Sequence, residues 1–276
     1  MGALLETPPI RLVAVDLDGT LLDDSKQVSD RTVDALRCLN GSGVRVVIAS
    51  ARPPRSVRHV YASLGLDTWQ INYNGALLWD EPNRRVVDHR PMEPGVVREV
   101  ASLARERFPQ VLVSCEILDR WCTDRFDETY TTATGRLFRP DVVAPLEQFC
   151  VEPVTKLMLL AAPEVVPELG LLVGEMAPAL GLSVIRSDPD LIQIMDARAS
   201  KGVALRRVCD HYGVSMRQVL AIGDAVNDVP MLEVAGVAVA MDNAQPDVKR
   251  AAHWVAPSNN DHGVHATLVL YGLCGA

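Results

Sequence analysis

No run of lysine or arginine stands out in this 276-residue chain, and its formal net charge is −8. Nucleic acid and anionic membranes are therefore not expected partners, because both are recognised through clustered positive charge. A zinc signature is also missing: Cys38, Cys115, Cys122, Cys150, Cys209 and Cys274 are scattered, without a C-x-x-C pair. In a chain of this size they read as reduced thiols of a cytoplasmic protein, not as a disulfide framework. Long uncharged apolar runs are absent. The most apolar stretch, 157 to 182, is interrupted by Glu164, Glu168, Glu175 and three prolines, which is incompatible with a membrane span. The first residues lack the basic region and apolar segment of a secretory leader. Met1-Gly2 fails the myristoylation pattern because position 6 is Glu. Neither an internal repeat nor a low-complexity tract occurs.

What is present is an ordinary globular composition, 48% apolar and 22% charged, on a chain long for one core and comfortable for two domains. Ile10 to Val15 is a short β-branched run that reads as a strand buried on both faces of a parallel sheet. Ser29 is placed to cap a helix with Val33, Leu36 and Leu39 on one face, ended by Gly41 and Gly43. Val44 to Ala49 is a second buried strand, and Pro53-Pro54 open the next helix. A strand near Trp69 to Tyr73 then turns at Asn74-Gly75 into a hairpin return over Ala76 to Trp79. This β-α-β-α-β order predicts a doubly wound α/β domain.

From about 83 to 193 the pattern changes to hairpin-paired strands with helices near 94–107 and 164–177, an α+β texture. Residues 124 to 145 carry no period. After Ser200 the α/β rhythm resumes, with a helix over 201–212 and strands at Val219–Ile222, Val237–Met241 and Trp254–Ala256. An amphipathic helix closes the chain. The expected architecture is a discontinuous parallel-sheet core, 1–82 and 194–276, carrying an inserted α+β domain over 83–193.

The chemistry-bearing residues fall at strand ends. Asp16 and Asp18 follow the first strand, Ser50 the second, and Gly223-Asp224 the strand at 219–222. Ligands of open α/β sheets bind outside the carboxyl ends of strands, so these sets converge at one edge. Two adjacent carboxylates raise each other's pKa unless a cation intervenes. Asp16, Asp18 and Asp224 form a hard-oxygen set suited to Mg²⁺. Asp228 sits where a helix N-cap is needed, a role worth about 1 kcal/mol, and is expected either to hold the metal or to bond a residue that does. His262 and His265 suggest a transition metal only weakly and read as surface histidines. Lys201 opens a helix, where the dipole disfavours a cation by about 0.3–1 kcal/mol; together with Gly202 it suggests a bound anion, against the alternative of a solvated surface lysine. The assembled parts describe phosphoryl transfer: a carboxylate nucleophile, a metal that offsets charge, and Ser50 and Lys201 donating to the phosphoryl oxygens.

The order Asp16-Leu-Asp18-Gly-Thr-Leu, Ser50-Ala-Arg, Lys201-Gly and Gly223-Asp224-Ala-Val-Asn227-Asp228 resembles the haloacid dehalogenase superfamily, specifically Cof-type phosphatases with a large α/β cap. Asn74-Gly75-Ala76 and Asp261-His-Gly-Val resemble that group too. The resemblance implies that Asp16 is the nucleophile and Asp18 the proton carrier. It further implies that Asp16, the Asp18 carbonyl and Asp224 hold Mg²⁺. Leu17, Ser50, Ala51, Lys201 and Asn227 would contact phosphate, and a cap would close over the substrate. Ala51 replaces the glycine usual in the second motif.

The function expected from these residues is Mg²⁺-dependent hydrolysis of a small phosphorylated metabolite, a sugar phosphate or phosphorylated cofactor, by a monomer or homodimer. A phosphomutase or phosphotransferase using the same aspartyl-phosphate is the alternative, although only Ala225-Val226 separate Asp224 from Asn227 where related mutases have a longer Gly-rich spacing. A catalytically inactive phosphometabolite-binding protein is the non-enzymatic alternative. Specificity is expected in the insert, with the stretch Asp119 to Arg125 and Lys156 as candidates; Lys156 is equally read as the solvent face of its strand.

Overall fold

The computed structural model describes residues 9–130 and 135–275, so the Met1-Gly2 start lies outside the described residues, as do residues 131–134 of the irregular stretch. The chain begins with β1 (Leu12–Asp16), α1 (Asp30–Gly41), β2 (Arg45–Ala49), α2 (Pro54–Ser63), β3 (Trp69–Asn72), β4 (Leu77–Asp80) and β5 (Arg85–His89). Next come α3 (Pro94–Arg107), β6 (Leu112–Ile117), β7 (Arg120–Thr123), β8 (Val142–Val143), α4 (Leu146–Phe149) and β9 (Lys156–Leu160). α5 (Val166–Leu180), β10 (Leu182–Asp188) and β11 (Leu191–Asp196) follow. The last part holds α6 (Lys201–Tyr212), β12 (Val219–Gly223), α7 (Val229–Val234), β13 (Val237–Met241), α8 (Pro246–Arg250), β14 (Trp254–Ala256) and α9 (Gly263–Leu270).

Two compact units result. The first runs to Val87 and resumes at Ser200; the second is Asp88–Ala199. The division falls a few residues later than the sequence pattern places it. β5 is the eighth strand of the first unit's sheet, and the division falls within it, after Val87. At the far end β11 continues to Asp196, whose carboxylate accepts from the Arg198 guanidinium at 2.9 and 2.7 Å.

The first unit is an α/β layer structure around an eight-stranded sheet of order β14-β13-β12-β1-β2-β3-β4-β5. β1 lies between β12 and β2, parallel to both, so the two halves of the discontinuous unit meet at the central strand. Alternation divides the side chains between two cores. Val13, Val15, Val46, Ile48, Leu220 and Ile222 pack with Leu36, Leu39, Val57 and Val60 of α1 and α2. Leu12, Ala14, Val47, Ala49 and Ala221 pack with Leu205, Val208 and Met231 of α6 and α7. Alanines recur on that second face, which admits α6 and α7 closely. Gly202 completes the approach: a Cβ there would land on the Pro230 carbonyl.

Two local expectations are corrected. Ser29 occupies the N-cap position of α1, but its hydroxyl bonds the Thr32 hydroxyl at 2.9 Å and caps no backbone N–H. α9 is not cleanly amphipathic; it buries Val264 and Leu268 and leaves Leu270 exposed.

In the second unit, six strands of order β10-β11-β9-β6-β7-β8 carry α3 and α5 on one face. Val113, Cys115, Leu157, Leu159, Ile192 and Ile194 meet Val97, Val100, Ala101, Leu169 and Val173 there. The opposite face presents Leu112, Met158, Leu160 and Leu191, with Trp121 and Tyr130 packed against them.

In an open helix interior, alanine in place of glycine stabilises by about 1 kcal/mol. At Gly202 the sign reverses, because the added methyl meets backbone that cannot yield. Gly202→Ala is expected to destabilise the protein by about 1–3 kcal/mol, read as a lower urea midpoint at unchanged slope.

Candidate active site

Asp16 ends β1 on the same parity as Leu12 and Ala14, the face that α6 covers. Lys201, the first residue of α6, is completely buried there. Its Nζ donates to Asp16 Oδ1 at 2.5 Å and to Asp228 Oδ1 at 2.6 Å. The lysine is therefore no solvated surface residue, and what it faces is a pair of carboxylates. Asp228, also fully buried, does not act as a simple helix cap: its Oδ2 accepts from the backbone N–H groups of Asp224 and Ala225, at 3.0 and 2.9 Å. This turns the loop after β12 back on itself and aims Asp224 toward β1.

Asp224 is held from the other side. Thr20 Oγ1 donates to its Oδ1 at 2.7 Å. Gly19, at φ +83°, leaves its Cβ position to the Asp224 carboxylate, so no other residue fits this turn. Ligand oxygens of Asp16, Asp224 and Asp228 then lie within 4.8 Å of one another. Three carboxylates against one ammonium leave two uncompensated negative charges. Burial raises the Asp16 carboxyl well above the ordinary range, and the Asp228 charge adds to that despite Lys201. Asp224 is raised too, again mainly by burial. For Lys201, burial opposes the charge, yet Asp16 and Asp228 outweigh it and keep the ammonium protonated. An all-oxygen donor set with a charge deficit of two fits Mg²⁺.

The Asp18 side chain is held apart from these three. Arg52 grips it in a fork, Nε to Oδ2 at 2.7 Å and an Nη to Oδ1 at 2.5 Å, and Lys26 adds a bond at 3.0 Å. Burial works upward on this carboxyl, but Arg52 and then Lys26 outweigh it and hold it below the usual range. Any part of Asp18 in metal binding would fall to its carbonyl, as the resemblance implies.

Ser50 is buried at the end of β2, its hydroxyl accepting from the Arg52 N–H at 3.1 Å, beside the half-buried Ala51. Leu17 is completely buried. Asn227 donates to Asn74 Oδ1 at 2.8 Å. Tyr73 and Asn74 hold left-handed backbone, φ 48° and 55°, a costly conformation for such residues. The Asn74 N–H donates to the Ser50 carbonyl at 3.0 Å, and Gly75 leaves space for the Ser200 carbonyl. The Asn74-Gly75 turn thus ties β3 to the loops bearing Ser50, Asn227 and Lys201. The sequence pattern gives Asn74 only a turn, and gives Thr20, Lys26 and Arg52 no part in placing the carboxylates. A signal existed for Arg52, a cation three residues past a strand end expected to converge with two carboxylates.

Among the described residues, Asp16, Asp224 and Asp228 are the one grouping suited to a metal, and His262 and His265 join none. Within the second unit, Lys156 is buried and lies opposite Glu116, also buried, across β9 and β6; it is not a solvent-facing residue. Arg120 pairs with Glu152, Asp124 with Arg105, and Arg125 with the Gln110 carbonyl, so much of the Asp119–Arg125 stretch is spent on internal bonds. No described helix is long and apolar enough to cross a membrane.

The sequence model of the haloacid dehalogenase-like hydrolases matches residues 13–268. A 5-amino-6-(5-phospho-D-ribitylamino)uracil phosphatase of Bacillus subtilis, YitU, is 31% identical over 97% of this chain and 99% of its own length. The crystal structure of TM0651 from Thermotoga maritima superposes with a TM-score of 0.85 at 28% identity, covering 95% of this chain and 97% of that one. BT1666 of Bacteroides thetaiotaomicron, described among phosphatases of the haloalkanoate (HAD) enzyme superfamily, gives 0.81 at 27% identity over 99% of both chains. With the motif residues gathered at one sheet edge and the match running nearly end to end, the chain belongs to the haloacid dehalogenase-like hydrolases, as an enzyme of the Cof-type phosphatase group.

Proposed function

We propose that this enzyme is a Mg²⁺-dependent phosphomonoesterase for a small phosphorylated metabolite, a sugar phosphate or phosphorylated cofactor, and that Asp16 becomes transiently phosphorylated. The observation that carries the reading is the buried Lys201 bridging Asp16 and Asp228 with Asp224 alongside, a site short of two positive charges. Held by Asp16, Asp224 and Asp228, Mg²⁺ would offset that charge and polarise the phosphoryl group.

Asp16 supplies the nucleophilic oxygen. As its bond to phosphorus forms, the ester P–O bond breaks, and the leaving oxygen takes a proton from Asp18. Asp18 then removes a proton from water, whose oxygen displaces Asp16 and releases phosphate. Lys201 and Ser50 donate to the negative oxygens around phosphorus. In the pairing seen here Asp18 favours its ionised form, so its acid step requires the Arg52 fork to loosen once substrate is bound. Substrate choice is assigned to the second unit, acting as the cap. Polar groups on its helix-free sheet face, among them Ser114, Glu116 and Lys156, are the candidates. The six free thiols support a reducing, cytoplasmic setting.

A screen of phosphorylated metabolites with Mg²⁺, comparing wild type with Asp16→Asn, tests the reading. Free phosphate without an isomerised sugar is expected, and Asp16→Asn should lower turnover by about three orders of magnitude or more with its circular dichroism spectrum unchanged. Appreciable hydrolysis by that variant would remove Asp16 as nucleophile.

Calorimetry at several pH values checks the charge deficit. Burial raises the Asp16 and Asp224 carboxyls, so the metal-free fold loses stability as pH rises from the ordinary carboxylate range through their folded values. Mg²⁺ should therefore raise Tm by more at pH 8 than at pH 5.5, where protons compete for the same oxygens. A gain independent of pH would mean that the carboxylates are already ionised without metal.

A further inference from the structure

Three loops of the first unit, one after each of β1, β13 and β14, are joined by side-chain amides that the reaction scheme does not use. Asn243, two residues past β13, donates from Nδ2 to the Gly19 carbonyl at 2.8 Å. Its Oδ1 accepts from the Asn259 backbone N–H at 3.1 Å. Asn259 in turn donates from Nδ2 to the Leu22 carbonyl at 3.0 Å and to Asp24 Oδ1 at 3.3 Å. Asn260 completes a reciprocal pair: its Nδ2 donates to Asp24 Oδ2 at 3.0 Å, and the Asp24 N–H donates to its Oδ1 at 3.1 Å. Both ends of the segment from Gly19 to Asp24 are thus held from outside by residues more than 200 positions later.

The held segment bears directly on Asp224. Its carboxylate fills the space where a Gly19 Cβ would be, and Thr20 Oγ1 fixes its Oδ1. A small displacement of Gly19 therefore moves either a steric wall or a hydrogen-bond donor against that carboxylate. Lys26, on the same loop, is one of the cations on Asp18. Asn243 touches no reacting group itself; it is exposed and sits behind the turn.

We propose that Asn243, backed by Asn259, is a positioning residue that sets the Asp224 carboxylate for the metal by clamping the Gly19–Asp24 loop. The proposal rests on the Mg²⁺ reading above. It assigns to an exposed amide an effect on the cation rather than on substrate contact.

The test uses the full chain as wild type, Asn243→Ala, Asn259→Ala and the double variant. Isothermal calorimetry measures Mg²⁺ affinity, and amide hydrogen exchange follows residues 19–24 in the metal-free protein. Asn243 is exposed and Asn259 half-buried, and both side chains bond loop groups only, so the single variants should fold with Tm close to wild type. Asn243→Ala is expected to weaken Mg²⁺ binding about tenfold, the scale of one lost hydrogen bond, and to speed exchange across the loop. The double variant should lose less than the product of the singles, since both act on one segment. At saturating Mg²⁺, the KM for substrate should stay within about threefold of wild type. Unchanged Mg²⁺ affinity in folded Asn243→Ala would overturn the proposal, and if that variant does not fold, unchanged affinity in Asn259→Ala does the same. Wild-type protein that binds no Mg²⁺ would instead sink the metal reading itself, and hydrogen exchange alone would then decide whether Asn243 holds the loop.

Discussion

A fully buried ammonium between two carboxylates is the constraint around which the first unit is arranged. Removing Lys201 and its partners from water is expensive, and an ion pair of this kind recovers the cost only with short, well-directed bonds. Here Lys201 meets Asp16 and Asp228 at 2.5 and 2.6 Å, and Asp228 is further satisfied by two backbone N–H groups. Such a pair does little for stability compared with an apolar replacement. What it does is bring β1, α6 and the loop after β12 to a common point and leave that point short of positive charge.

Packing supplies the accuracy. Strand alternation sends Asp16 to the face covered by α6, and alanines on that face, with Gly202, bring α6 and α7 close to the sheet. Gly19 and Gly75 serve the same end at the edge of the sheet, admitting a carboxylate and a carbonyl where any side chain would intrude. Sheet, helices and turns therefore converge on one geometry, the consistency expected where local preferences agree with the fold.

Much of this was legible in the sequence because the functional residues sit at ends of strands whose apolar runs are unambiguous. Asp16, Ser50 and Asp224 fall at one sheet edge for that reason, and Lys201 joins Asp16 from the first turn of α6. What was harder to read has a different cause. Asp228, read as a cap and as a ligand or close neighbour of the metal, joins Asp16 and Asp224, while Arg52, far from Asp18 in sequence, holds the Asp18 carboxylate outside that group. β5 lies at a sheet edge with polar residues at both ends and no fully buried position, and so resembled the insert that follows it. Lys156 alternates with apolar neighbours, a pattern that does not reveal Glu116 on the adjacent strand. The amides of Asn243, Asn259 and Asn260 have no period at all, since each answers to a carbonyl or carboxylate set by tertiary structure.

The central place of β1 has a consequence for how the molecule comes into being. Its β2 neighbour is synthesised within a few dozen residues, whereas β12, on its other side, emerges only after the whole second unit has been made. Until then one edge of this central, fully buried strand lacks its hydrogen-bonding partner, and Asp16 lacks its counter-ion. Pairings so distant along the chain form slowly and leave such edges open to wrong association. The second unit, compact in its own right, can fold during that interval, so the nascent chain reaches its catalytic arrangement last, when the final third of the polypeptide arrives.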